Sequence, residues 1–175
     1  ICGLPFYLSG EVADWKKLAH RTFDEIEREG IRLMAGLSAT GIFPKDKKIE
    51  AATTKGDVRT IPYDKLIVCT GGASMVPQWP GIDLPGVFFL RWMTDGLAIS
   101  AYLEKRRPSS LIIIGAGYIG MEMADAMVRR GLAVSVVEYA PSTLTTFDSR
   151  MGAVVEEELI RHGVSVFTSF SVSGI

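Results

Sequence analysis

The chain has 175 residues, of which 47% are hydrophobic and 22% charged, and its formal net charge at pH 7 is −1. These values suit one or two small domains with a hydrophobic core, and they lack the basic excess of proteins that bind nucleic acid or anionic membranes. No apolar run approaches the ~20 residues that a bilayer span needs, and no signal peptide is visible, so we expect no membrane partner.

The cysteines and the two ends of the chain are informative. Cys2 and Cys69 do not make a disulfide framework, which favours a reducing, cytoplasmic compartment. The sequence begins at Ile1 and stops at Ile175 without a terminating feature, so we expect a fragment of a longer protein. Neither histidine has partners at metal-ligand spacing, so no metal site is expected.

The N-terminal half predicts short helices and an antiparallel β-meander. Residues 1–10 suit a loop or a helical turn, and the capping box from Thr22 to Glu25 predicts a helix over residues 23–29. Turn sequences separate the strand candidates, and a proline-rich linker leads to a domain boundary near Arg91. The candidates are four short strands and one buried strand, at residues 31–33, 38–43, 48–53, 58–61 and 66–69.

The clearest pattern is LIIIGAGYIGMEMADAMVRRGLAVSVVE, at residues 111–138. Its four leading apolar residues predict a strand buried on both faces, as in a parallel sheet. The glycine turn G-A-G-Y-I-G follows, then a helix that Gly131 ends, then a second apolar strand over residues 132–137. The apolar stripe predicted for this helix consists of Ile119, Met123, Ala126 and Met127.

Each glycine of the turn has a physical task in binding a dinucleotide. Gly115 permits the tight turn, Gly117 lets the backbone approach a pyrophosphate, and Gly120 lets the helix pack closely on the strand. The helix N-terminus offers free N–H groups and the positive end of its dipole to phosphates. Glu138, 18 residues after Gly120, is spaced to bind both ribose hydroxyls and would repel a 2′-phosphate, which predicts NAD(H) rather than NADP(H). The alternative is a glycine-rich turn that binds nothing.

Two further helices and a third strand flank this pattern. Thr94 or Asp95 is expected to cap a helix that ends before residues 106–108, and residues 140–147 are expected to form a loop. Asp148 or Ser149 then caps a helix closed by a glycine, and residues 164–168 form the third strand. The predicted fold class is α/β, with a Rossmann-like βαβαβ domain preceded by the β-meander.

Three motifs together resemble the pyridine nucleotide–disulfide oxidoreductases, a family of flavin-dependent enzymes. They are Y-D-K-L-I-V-C-T-G-G at 63–72, P-G-I-D-L-P-G-V-F at 80–88 with L-R at 90–91, and G-A-G-Y-I-G-M-E at 115–122. The resemblance implies a partial FAD-binding domain over residues 1–91 and an incomplete NAD-binding Rossmann domain over residues 92–175.

A fourth motif, C-G-L-P-F-Y at residues 2–7, is similar to the branch that holds coenzyme A disulfide reductase, NADH oxidase and NADH peroxidase. This resemblance implies that Cys2 is a single redox-active cysteine, reduced by NADH through FAD. It implies a small-molecule substrate, which is coenzyme A disulfide, peroxide or oxygen, and a homodimeric full-length protein. The implied cofactor contacts are Thr70, Gly71, Gly72 and Arg91 to FAD, Tyr118 as a gate over the flavin, Ile119 and Glu122 to the nicotinamide, and Glu138 to the adenosine ribose.

The sequence leaves two alternatives open. The family's first FAD-binding glycine motif lies upstream of the cysteine, and nothing precedes Ile1 here, so we expect the isolated chain to hold no flavin and to be inactive. One alternative is the reductase of a ferredoxin or rubredoxin electron-transfer chain, which needs no cysteine loop. The other is a nucleotide-binding module without flavin.

Overall fold

A computed structural model describes residues 3–175, which divide into two compact units. Residues 19–72 form the meander unit, and residues 3–18 together with 73–175 form the parallel-sheet unit. Within residues 3–175, no helix is both long and apolar enough to cross a lipid bilayer. The domain division expected near residue 91 stays a prediction.

The helix of the meander unit, α2 (Phe23–Arg28), begins at the predicted capping box. Thr22 Oγ1 accepts the N–H of Glu25 at 3.3 Å, and Glu25 Oε2 accepts the N–H of Thr22 at 2.7 Å. The hydrogen bonds from the Thr22 backbone and then from its hydroxyl lower the pKa of Glu25, because they favour the charged carboxylate. The contribution of this carboxylate to stability is therefore present above the ordinary glutamate pKa and is lost as the pH falls through the lowered one.

The sheet of the meander unit is the predicted antiparallel meander. Its strands pair in the order β1, β2, β3, with a bulge between Ala39 and Gly41 on the first strand. The three predicted strands at 38–43, 48–53 and 58–61 are confirmed to within one residue. Their bounds are Leu37–Phe43 for β1, Lys48–Thr53 for β2 and Val58–Pro62 for β3.

Two other strands predicted for this unit are wrong. Residues 31–33 and 66–69 have no regular secondary structure. Ile67 is 85% exposed, and Cys69 is an exposed free thiol instead of a buried one. An apolar run becomes a strand only when a neighbouring strand takes up its backbone hydrogen bonds, and no strand within residues 3–175 pairs with either run.

The parallel-sheet unit has the predicted βαβαβ arrangement. Its sheet has the order β4, β5, β6, and both neighbouring pairs are parallel. Helices connect successive strands, as a parallel pair requires. The elements are β4 (Ser110–Ile114), α4 (Tyr118–Arg129), β5 (Ala133–Val137), α5 (Ser149–Arg161) and β6 (Ser165–Phe167).

Only one face of this sheet is buried, so the prediction of burial on both faces is wrong for the described chain. The register places Ile113, Val136 and Val166 in one row, and Val136 is completely buried in the core. The opposite face exposes Ile112 at 68% and Ile114 at 47%. Successive side chains of a strand point to opposite faces of the sheet. Burial along β4 therefore alternates, because described elements of the core cover only one of the two faces.

Helix α3 (Met93–Arg106) begins earlier than the sequence predicts. Its N-cap residue is Trp92, and the Asp95 carboxylate accepts the N–H groups of Arg91 at 2.8 Å and of Trp92 at 2.7 Å. Asp95 therefore acts from inside the first turn instead of from the cap position. This placement favours a carboxylate, because the helix dipole is positive there.

Helix α1 (Leu4–Ser9) docks on α3 and α4 although it is only six residues long. Leu4 and Leu8 are 3% and 0% exposed within the core, and Arg130 donates from Nη1 to the carbonyl oxygen of Leu8 at 2.9 Å. Leu4 lies against Gly96 of α3, where an added Cβ would be 2.4 Å from Leu4 Cδ1. A helix this short depends on such packing, because it is unstable alone in water.

We expect Leu8→Ala to lower the free energy of unfolding by about 2–5 kcal/mol, because it leaves a cavity in the core. Phe6→Ala on the same helix removes a side chain that is 53% exposed and should change stability by less than about 0.5 kcal/mol. Urea denaturation followed by circular dichroism compares the two variants. Equal losses would show that α1 is not docked in solution.

Candidate functional site

The centre of the candidate site is the turn between β4 and α4. Gly115 has φ +106°, a conformation that a residue with a Cβ rarely adopts. Its N–H donates to the carbonyl oxygen of Val137 at 2.8 Å, which ties the turn to the end of β5. The N–H of Met121 donates to the carbonyl oxygen of Gly117 at 3.0 Å and so closes the first turn of α4.

Gly120 lies where helix and strand approach most closely. A Cβ added there would be 2.0 Å from the carbonyl oxygen of Gly115 and 3.5 Å from Cγ2 of the Ile113 side chain. No residue larger than glycine fits without moving α4 away from the turn. The geometry agrees with the packing task that the sequence suggests for this position.

Gly117 differs from Gly120 because it faces open space. It is the N-cap of α4, with φ −80° and ψ −174°, and an added Cβ would meet nothing within 4 Å. The N–H groups of the first helical turn have no acceptor inside the helix, and the helix dipole is positive at this end. An exposed backbone with free donors and positive potential fits a pyrophosphate.

The Glu138 carboxylate joins the glycine turn to the loop that follows β5. Its Oε2 accepts the N–H of Ala116 at 2.6 Å, and its Oε1 accepts the N–H of Ala140 at 2.7 Å. An ionised carboxylate offers about four acceptor positions, so both oxygens retain capacity for a ligand's hydroxyl groups. The sequence predicts a ligand contact for Glu138 but not its role in holding the turn.

The loop at residues 140–148 forms a second wall of the site. Leu144 donates its N–H to Ala116 at 2.9 Å, and the buried Thr143 hydroxyl donates to the carbonyl oxygen of Gly152 at 2.8 Å. A Cβ on Gly152 would be 2.5 Å from the carbonyl oxygen of Thr143, so α5 packs directly on the loop. The sequence predicts the loop but not its function, because the contacts that attach it to the glycine turn and to α5 lie outside the loop.

Two aromatic rings meet at the edge of this site. Tyr118, the first residue of α4, and Phe147 of the loop have ring centroids 5.6 Å apart and an interplanar angle of 69°. Each ring is about half exposed, at 53% and 50%. This edge-to-face arrangement is one of the two favoured geometries of an aromatic pair.

Ile119 and Glu122 also lie on the open side of α4. Ile119 is 51% exposed, so it does not belong to the buried stripe in which the sequence placed it. The buried residues of the helix are Met121, Met123, Ala124, Ala126 and Met127. Glu122 lines a small cavity of about 80 Å³ between α4 and α1, together with Pro5 and Phe6.

The residues expected at the flavin lie in different parts of the chain. Thr70, Gly71 and Gly72 are exposed at the end of the meander unit, and Gly71 has φ +71°. Arg91 belongs to the parallel-sheet unit, immediately before α3, and its side chain is exposed. Cys2 lies outside the described residues. Over residues 3–175, no group of three or more His, Cys, Asp or Glu side chains is arranged to hold a metal ion.

The chain matches a family of known proteins along almost its whole length. The family described as "Pyridine nucleotide-disulphide oxidoreductase" matches residues 2–175. An NADH oxidase of Methanocaldococcus jannaschii is 33% identical over 96% of this chain and 38% of its own length. A CoA-dependent NAD(P)H sulfur oxidoreductase of Pyrococcus furiosus is 34% identical over 92% of this chain and 36% of its own. The chain thus spans less than two fifths of these relatives.

Solved structures share the same fold. Reduced CoADR-RHD of Bacillus anthracis superposes with a TM-score of 0.90 at 30% identity, over 99% of this chain and 32% of that one. A water-forming NADH oxidase of Lactobacillus brevis, engineered as an NADPH oxidase and bound to NADPH, gives a TM-score of 0.85 at 27% identity, over 99% of this chain and 38% of that one. The engineered changes include an aspartate to alanine and, at the next position, an alanine to arginine.

A pair of glycine variants separates packing from ligand binding. Gly117→Ala should leave stability within about 0.5 kcal/mol of the parent, since its Cβ would enter open space, but it should weaken NADH binding about tenfold or more by keeping the pyrophosphate from the backbone. Calorimetric titration with NADH and thermal unfolding measure the two effects.

Gly120→Ala is the matched comparison, and it should lower the free energy of unfolding by about 1–3 kcal/mol or more through overpacking. If Gly117→Ala binds NADH as tightly as the parent, the pyrophosphate does not lie on this turn.

Proposed function

Because this chain belongs to the pyridine nucleotide–disulphide oxidoreductase family, we propose that it carries the NADH-binding unit of an FAD-dependent oxidoreductase. In that enzyme, two electrons from NADH would pass through FAD to the oxidised form of Cys2, the one redox-active cysteine, and return it to the thiol. The relatives are much longer than this chain, so the proposal concerns the activity of the whole protein. In that protein, residues 3–18 and 73–175 provide the nicotinamide nucleotide site.

The observation that supports this proposal best is the glycine turn with its acid. Open backbone at Gly117, close packing at Gly120 and the half-buried Glu138 carboxylate lie around one end of a parallel sheet. Ligands of open α/β sheets bind outside the carboxyl ends of the strands. Gly117 fits the pyrophosphate and Glu138 fits the ribose, while the close packing at Gly120 holds the helix N-terminus against the turn.

The Glu138 carboxylate favours the binding of NADH over that of NADPH. Its carboxylate would accept from two ribose hydroxyls and would repel a 2′-phosphate. In the engineered NADPH oxidase, an aspartate became alanine and the following residue became arginine. These changes remove a negative charge and add a positive one, as binding of a 2′-phosphate requires. In this chain the residue after Glu138 is Tyr139, which is 79% exposed and therefore free to be replaced.

FAD would be held by Thr70, Gly71, Gly72 and Arg91, as the resemblance implies. When bound, it supplies the acceptor for a hydride and the carrier that delivers two electrons to a cysteine sulfur. The exposed backbone at residues 70–72 offers donors and acceptors to a ligand, and the Arg91 guanidinium offers positive charge. Tyr118 would cover the flavin side of the nicotinamide site, with Ile119 and Glu122 beside it.

Cys2 is the proposed thiol that meets the substrate. A cysteine that works without a resolving partner needs a small oxidised molecule, so we propose coenzyme A disulfide, peroxide or oxygen as the acceptor, in a homodimeric cytoplasmic protein. Relatives named NADH oxidase and CoA-dependent sulfur oxidoreductase support acceptors of this size. An electron-transfer reductase without a working cysteine is the competing function, and variants of Cys2 distinguish the two.

The first test of the proposal is the choice of cofactor. Glu138→Ala should weaken NADH binding about tenfold or more, because hydrogen bonds to a charged group are lost, and should weaken NADPH binding less. Adding Tyr139→Arg should then make NADPH the tighter ligand. Glu157→Ala, an exposed acid on α5, is the control that should change neither affinity. Equal affinity of the parent for both nucleotides would contradict the argument.

The second test concerns the thiol. In the full-length flavoprotein, Cys2→Ser should abolish turnover of disulfide or peroxide and leave the reduction of FAD by NADH intact, since hydride transfer comes first. Cys69→Ala is the matched control and should change little, because its exposed side chain makes no core contact. Stopped-flow absorbance and steady-state assays measure the two steps. Full turnover by Cys2→Ser would favour the electron-transfer reductase.

A further inference from the structure

The loop that carries Phe147 is fixed to the same turn that begins α4. Leu144 is 9% exposed, and its N–H donates to the carbonyl oxygen of Ala116 in the turn. The N–H of Phe147 donates to the carbonyl oxygen of Leu144 at 2.9 Å. Asp148 then caps α5, accepting the N–H of Arg150 at 3.0 Å. The backbone of Phe147 therefore lies between two anchored points beside the glycine turn.

Helix α4 fixes the backbone of Tyr118 but leaves its side chain exposed. It is the first residue of α4 and follows Gly117, around which the space is open, and its ring is 53% exposed. An exposed side chain of this size would otherwise occupy several rotamers and would lose that freedom when a ligand packs against it. Contact with the Phe147 ring restricts the rotamers before any ligand binds.

We propose that Phe147 is a positioning residue that sets the rotamer of Tyr118 and so pre-organises the nicotinamide end of the site. The inference rests on the proposed function, because it takes Tyr118 to contact the nicotinamide. Phe147 itself need not touch the nucleotide. Its effect is to lower the conformational cost of binding a dinucleotide whose nicotinamide packs on Tyr118.

The test compares NADH with ADP-ribose, which has the adenosine and the pyrophosphate but no nicotinamide. Phe147→Leu should weaken NADH binding about two- to tenfold, the value of an edge-to-face aromatic pair, and should leave ADP-ribose binding unchanged. Phe147→Tyr keeps an aromatic ring and should retain the parent affinity for both ligands. Calorimetric titration of the same protein preparations measures all of these affinities.

A double-mutant cycle shows whether the effect passes through Tyr118. In a Tyr118→Leu background, Phe147→Leu should no longer change the NADH affinity. The 19F resonance of 3-fluorotyrosine at position 118, assigned with Tyr118→Phe, should shift in Phe147→Leu and not in Phe147→Tyr. This resonance is measured without nucleotide, and it reports directly on the ring contact.

The possible outcomes separate the inference from the function on which it rests. Equal losses of NADH and ADP-ribose affinity in Phe147→Leu would show a general structural role and overturn the inference. Unchanged NADH affinity, or an unchanged 19F resonance, would overturn it while ADP-ribose binding still supports the nucleotide site. Failure of the parent to bind either ligand would overturn both.

Discussion

The carboxylate of Glu138 is the interaction on which the site depends. It accepts one backbone N–H from the glycine turn and one from the loop after β5, and its own N–H donates to Phe167 of β6 at 2.8 Å. One residue therefore connects the ends of all three parallel strands. Any ligand hydroxyl that binds this carboxylate meets an acceptor whose position the protein has already fixed, so little ordering remains to oppose binding.

The parts of the fold that could be predicted are those determined by local chemistry. The Thr22–Glu25 capping box, the left-handed Gly115 and the three meander strands all follow from residues close together in the chain. The βαβαβ order also follows, since each strand and helix has its own period of apolar residues. For the site, the glycines and the acid were found because their spacing is a property of the sequence alone.

Apart from the early start of α3, the failures concern residues whose state depends on distant neighbours. Ile67 and Ile112 are as apolar as buried strand residues, yet both are exposed because no described element covers them. The second function of Glu138 and the pairing of Tyr118 with Phe147 were missed for the same reason. Their partners lie across the fold, and no spacing rule relates them.

The docking of α1 also has a consequence for how the protein is made. Leu4 and Leu8 leave the ribosome well before the α4 residues that they pack against, which are more than a hundred positions later in the chain. At ~5–20 residues per second, α1 waits on the order of ten seconds before its core exists. During that time the whole meander unit emerges, and the two leucines stay accessible to chaperones.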